Sequence, residues 1–392
     1  MDSPSIRRLL LDLLGTPGRA GSESLQALSE SDWSMLDGMA SQHRLRPLLH
    51  ASQQDNLAIP EAVREGWRSA HRQSGMAALT QKAELAECCA LLRSKGFEPI
   101  ALKGAYLAWH AYPSPAQRPL RDLDLLLTPD TVIPAFHALT DAGYTLGEVP
   151  ELALEDLVRL DKHMPVLIAP RGTPIELHHR LSMPQGRLDH DTPDSDEAAI
   201  RERSIVIDEV RYPEPRDMLA HLIVHAVYGH RLNCGPLVLA DIAQMLATHD
   251  VDHASFLARA KREGWLPGAV LLFELTRRYY GETAAPAPPT GFSVPEGMFA
   301  AAPDLLLQDL ETRKSAGFIA ASLAGGPAGL ARRILGRKAA SGQAGARKDM
   351  APEGGFVRWA WSRLDRTVSD LRNAAVRQQS RDLARLSRWL DK

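Results

Sequence analysis

The chain has 392 residues, of which 44% are hydrophobic and 24% charged, the proportions of a globular protein long enough for two or three domains with a sizeable core. No apolar run approaches the roughly 18 residues of a membrane span, and the start Met1-Asp2-Ser3-Pro4-Ser5 lacks the apolar centre of a signal peptide, so the expected setting is the cytoplasm. Three cysteines exclude a disulfide framework, and a net charge of −2 hides an asymmetry: from Leu330 onward 15 Lys and Arg stand against 6 Asp and Glu, leaving 31 against 42 in the part before it.

The first 95 residues read as a helical N-terminal region. Ser5 to Leu14 has an amphipathic pattern, Ser29-Glu-Ser-Asp-Trp33 has the form of a helix start, and Pro60 to Lys95 fits one long helix opened by proline. Cys88 and Cys89 in that helix read as small core residues. His43, His50 and His71 are scattered, as surface or packing histidines are, and no catalytic cluster is visible here.

Lys95-Gly96-Phe97 stops the long helix, and residues 96–212 carry the chemistry. Pro99 to Leu102 reads as a strand, and a helix begins at Lys103-Gly104, where glycine lets the backbone approach a ligand and the amides of the first turn favour phosphate. Alone, Lys103-Gly104 is an ordinary strand-to-helix turn. Tyr112 to Leu120, with three prolines, is a constrained loop in which Arg118, or Arg121 beyond it, either reaches an anionic ligand or pairs with the aspartates that follow.

The next strand carries Asp122 and Asp124 on one face, because side chains alternate with period two, and Leu123, Leu125, Leu126 and Leu127 make it apolar enough to be central. Solvated aspartates on an edge strand are the plain alternative. Thr128-Pro-Asp caps a helix from Thr131 to Ala142, a short helix follows over Glu151 to Lys162, and His163 to Ala169 pairs with Thr173 to His178 across Pro170-Arg-Gly. Glu176 on that last strand is a third carboxylate able to close a divalent-cation site with Asp122 and Asp124. His178 shares its face, either near the metal or as a packing residue.

Residues 182–200 read as a polar loop, Arg203 to Pro213 as a β-hairpin, and residues 213–323 as a helical domain. His221 and His225 stand one helical turn apart, but Leu222 occupies the place of a zinc protease's general base, which rules that chemistry out. His225 with Asp241 is expected as a buried polar pair. A Gly/Ala-rich basic linker spans 324–355, and 356–392 is an Arg-rich amphipathic helix. Three roles stay open for it: packing by its apolar stripe, an acidic partner, or a membrane surface or nucleic acid. Basic charge without interleaved aromatics argues against nucleic acid.

Leu102-Lys-Gly104, Tyr112-Pro113, Arg118, Asp122-Leu-Asp-Leu-Leu, Gly143-Tyr144 and Ile175-Glu-Leu-His178 together resemble the uncharacterised bacterial nucleotidyltransferase family of the DNA polymerase β superfold. The resemblance implies an α+β fold in which a small mixed β-sheet core is flanked by N-terminal and C-terminal helical regions. It implies that Asp122, Asp124 and Glu176 bind Mg²⁺ or Mn²⁺ and catalyse, that Lys103, Gly104 and Arg118 bind the nucleoside triphosphate, and that the acceptor is a hydroxyl of a peptide, protein or sugar. Ala105 departs from the serine or glycine common in the wider superfold and removes one possible phosphate contact. A partner-binding protein that keeps the fold without catalysis is the alternative.

Overall fold

The computed structural model describes residues 3–147, 149–150, 152–183, 192–193, 195–308 and 374–391. The expected linker at 324–355 and the first part of the expected basic helix, up to 373, lie outside the described residues. The N-terminal helices are α1 (Ser3–Leu14), α2 (Ser22–Gln26), α3 (Glu30–Gln42), α4 (Arg46–Gln53) and α5 (Glu61–Ser94). Helix α3 starts where the sequence signals, with a capping box in which the Ser29 side chain accepts from the Asp32 amide and Asp32 accepts from the Ser29 amide. Helix α5 runs 34 residues behind Pro60, with Trp67, Leu85, Cys88 and Cys89 buried.

The core follows as β1 (Ile100–Ala101), α6 (Gly104–His110), β2 (Leu123–Leu126), α7 (Val132–Asp141), β3 (Thr145–Leu146), α8 (Leu154–Leu160), β4 (Leu167–Ile168), β5 (Pro174–His178), α9 (Glu197–Glu202), β6 (Ile205–Ile207) and β7 (Val210–Tyr212). One mixed seven-stranded sheet has the order β3-β4-β5-β2-β1-β7-β6. Strand β2 is its middle member and is buried throughout, as its unbroken leucines require. It pairs antiparallel with β1 and parallel with β5, and the parallel register sets Asp124 opposite Glu176. The fold is therefore α+β with a mixed-sheet core flanked by helices.

One expectation changes here. Helix α9 occupies part of the stretch read as a loop, capped by the Asp196 side chain on the Ala199 amide. The hairpin β6–β7 turns through Asp208 and Glu209, both at positive φ (48° and 65°), values that the sequence gives no glycine to announce.

Beyond the sheet come α10 (Pro215–Val224), α11 (Leu237–Thr248), α12 (His253–Arg262), α13 (Leu266–Tyr280), α14 (Glu296–Leu306) and α15 (Ala374–Leu390). Helix α15 buries Val376, Leu383, Leu386 and Leu390 and packs on α14, so its apolar stripe is used within the chain. No helix among the described residues is long and apolar enough to cross a membrane. Buried charges tie the layers together: Glu84 of α5 accepts from the Arg171 and Thr173 amides of the β4–β5 turn, and Asp217 of α10 is paired with Arg203 and Arg259.

Candidate active site

Three short segments meet at the N-terminal end of β2. Leu102 follows β1, its amide bonds the Asp124 carbonyl, and this puts Lys103 directly beside β2. Lys103 takes φ 45° and ψ −114°, a conformation that sterics disfavour for any residue with a Cβ and that persists only where the surroundings hold it. The strain sits on Lys103, not on Gly104. At Gly104 the requirement is space, since a Cβ would meet Leu120 Cδ2 at 2.5 Å.

Lys103 Nζ lies 3.1 Å from Asp124 Oδ2. On the other carboxylate oxygen, His178 Nε2 stands 2.7 Å from Asp124 Oδ1 and 3.3 Å from Glu176 Oε2. Asp124, Glu176 and His178 thus offer ligand atoms all within 4.8 Å of one another, the arrangement of a cation site. Asp124 and His178 are buried, and Glu176 is partly open at 22% exposure. Asp122, one residue before β2, is near enough to feel the charges of Asp124 and Glu176.

The electrostatics separate these acids. Burial pushes Asp122 up, and Asp124 and Glu176 push it further. Burial would also raise Asp124, but Lys103 and His178 outweigh it and hold Asp124 well below the ordinary carboxylate range. Glu176 is lowered, chiefly by its hydrogen bond with His178. The site therefore holds one carboxyl whose ionisation is opposed beside two that are stabilised, a like-charge cluster that a cation would relieve.

Other expectations meet different geometry. The Ala105 and Tyr106 amides turn back onto the Leu102 and Lys103 carbonyls, so these two are engaged within the turn and not presented to a ligand. Ala105 is 1% exposed, so the missing hydroxyl belongs to a side chain that faces the core. Arg118 is engaged within the chain: its Nε and Nη2 donate to Asp241 Oδ1 and Oδ2 at 2.8 and 2.9 Å, and its Nη1 donates to the Pro119 carbonyl. Tyr112 Oη donates to the same Asp241 at 2.8 Å. Arg118 thereby clamps the loop between α6 and β2 to α11, and the expected pairing of His225 with Asp241 is replaced by this one. His225 lies instead between His221, tilted against it, and His230, edge-on to it, with ring centroids 5.6 and 4.3 Å away.

Lys162 escaped the sequence reading. Its carbonyl accepts from the His179 and Arg180 amides, which sets it beside β5, and burial followed by the charge of Lys103 lowers its ammonium, while Asp124 and Glu176 oppose the shift. His221, 5% exposed, feels Lys103, Asp124 and His178. A lysine immediately before the strand that returns beside Glu176 was the available signal for Lys162; nothing in the sequence brings α10 to the site.

A mixed sheet with carboxylates in register on two parallel central strands, opposite a strained Lys-Gly turn, has the make-up of a nucleotidyltransferase core. The family model of the uncharacterised nucleotidyltransferases matches residues 29–281, and the chain belongs to that family, whose members are transferases of phosphorus-containing groups. No curated protein and no solved structure matches it.

Proposed function

We propose that the chain is a metal-dependent enzyme that moves a nucleoside monophosphate from a nucleoside triphosphate to a hydroxyl of a peptide, protein or sugar. The observation that carries this reading is the register of Asp124 against Glu176 on adjacent strands, with Asp122 kept from easy ionisation beside them. These oxygens fit Mg²⁺ or Mn²⁺, both of which suit carboxylate and water ligands. Bound by Asp122, Asp124 and Glu176, such a cation supplies charge neutralisation at the phosphates and acidifies a hydroxyl.

The acceptor oxygen forms a bond to the α-phosphorus, the bond to the bridging oxygen breaks, and pyrophosphate leaves with the electron pair. Glu176, more open than Asp124, takes the hydroxyl proton at its carboxylate oxygen. Lys103 and Lys162 offset charge on the departing pyrophosphate, Lys103 exchanging part of its contact with Asp124 for the phosphate. Gly104 keeps the turn close to Leu120, and the clamp from Arg118 to Asp241 fixes the loop above it. Water is limited by the burial of Asp124 and His178.

The test is binding and turnover of the four nucleoside triphosphates with Mg²⁺ or Mn²⁺, in the wild type and in the double variant Asp122→Asn/Asp124→Asn. Pyrophosphate release that the double variant lacks supports the reading. A folded, metal-loaded wild type that binds no nucleotide contradicts it and leaves the partner-binding alternative, for which the existing Lys103–Asp124 ion pair is the favouring feature.

A further inference from the structure

Asp122 borders a second group of cations that comes from a different part of the chain. The corner between α3 and α4 is fixed by the Leu45 amide on the Ala40 carbonyl, and it holds Arg44 at φ 57°, a left-handed conformation unusual for a side chain of this size. Helix α4 packs on the short turn Pro115–Gln117 that precedes Arg118, and His43 Nδ1 would lie 3.2 Å from a Cβ at Gly235. The corner is thus wedged between the loop over the site and the loop leading to α11.

The charged neighbours of the Arg44 guanidinium are Arg118, Asp122, Arg121 and Asp241, and burial with the two like charges lowers it. Arg44 is nevertheless open to solvent, as is Arg121, which is the situation of side chains on the wall of a cleft. Of the three arginines, Arg118 is matched by its two-pronged bond to Asp241. Arg44 and Arg121 make no side-chain hydrogen bond or ion pair among the described residues, and both lie where the charge of Asp122 is felt. That carboxylate is itself repelled by Asp124 and Glu176 and attracted by Lys103. Two guanidiniums with planar donor forks are left over, close to a site for phosphate chemistry.

We propose that Arg44 and Arg121 form a phosphate-binding rim beside Asp122, which takes a phosphate group of one of the substrates. The inference rests on the proposed transferase reading for its substrate, though not for its binding chemistry. Two sources supply such a group: the tail of the donor triphosphate, or a phosphate ester carried by the acceptor.

The experiment is calorimetric titration with inorganic pyrophosphate in excess EDTA, so that binding does not run through a metal, on the wild type, Arg44→Gln, Arg121→Gln, the double variant and Arg44→Lys. The wild type is expected to bind, each glutamine variant to lose roughly tenfold in affinity, the double variant to lose more, and Arg44→Lys to recover part of the loss. Arg121→Gln, at an exposed position, keeps the test meaningful should Arg44→Gln fold poorly.

Mg²⁺–nucleotide affinity and glucose 1-phosphate affinity, measured on the same variants, separate the sources. A loss confined to nucleotide assigns the rim to the donor, and a loss confined to the sugar phosphate assigns it to the acceptor. If the wild type binds pyrophosphate through the rim but no nucleotide, the transferase reading fails and the rim stands. Equal pyrophosphate affinity in the wild type and the double variant, or none in the wild type, overturns the proposal.

Discussion

Asp241 and Asp124 are both buried and both face a basic side chain, and they do opposite work. Asp241 accepts from Tyr112 Oη, Arg118 Nε and Arg118 Nη2, so its charge is met by one guanidinium and its lone pairs by three donors. Asp124 is met by Lys103 and His178, yet Asp122 and Glu176 crowd the same place. Burial of a charge is therefore not the mark of a site. The mark is an excess of one sign that the protein leaves uncompensated, together with strain spent on holding a cation beside it, as at Lys103.

The contrast can be broken first at the clamp. Asp241→Ala leaves Arg118 buried without its partner, which should remove about 3–5 kcal/mol of stability; urea unfolding measures it. A loss below about 1 kcal/mol would make the clamp an ornament. At the site the effect should appear in rate instead. Glu176→Gln is expected to lower pyrophosphate release about 10²- to 10³-fold, on the scale of lost electrostatic catalysis, with the melting temperature within a few degrees of the wild type.

A third contrast concerns pH. Burial holds the His221 imidazole well below its ordinary value of 6.5, so the folded chain keeps it neutral while the unfolded chain protonates it. Above about pH 6.5 both states are neutral and the residue is silent; below it the unfolded state takes the proton and stability falls, by about 1.4 kcal/mol per pH unit. His221→Gln should flatten the denaturation midpoint between pH 6.5 and 5, and an unchanged slope would contradict the assignment. The smallest effect is expected at Gly104→Ala, where the added methyl displaces Leu120. About 1 kcal/mol of stability should be lost, with nucleotide affinity the readout that shows whether the turn also serves a ligand.

The elements that set the site were legible where the pattern is local. Period two put Asp122 and Asp124 on one face, the leucine run made β2 central, and Glu176 stood on a second strand. Which strand it would sit beside, and in what register, depended on a pairing across some fifty residues that no local pattern encodes. Arg118 shows the same limit more sharply: its position in the motif suggested a ligand, but its partner Asp241 lies 123 residues away on α11. Arg44 comes from a turn whose placement follows from packing alone, so its chemistry was invisible until the chain was folded. Lys103-Gly104 does join a strand to a helix as read, though the residue at positive φ is the lysine and not the glycine.

The most direct measurement is metal-dependent pyrophosphate release from nucleoside triphosphates by Asp124→Asn and Asp241→Asn side by side, each normalised to its folded fraction. The account predicts that Asp124→Asn is folded and releases essentially none, while Asp241→Asn releases in proportion to the protein that remains folded. Release by folded Asp124→Asn at the wild-type rate would contradict it.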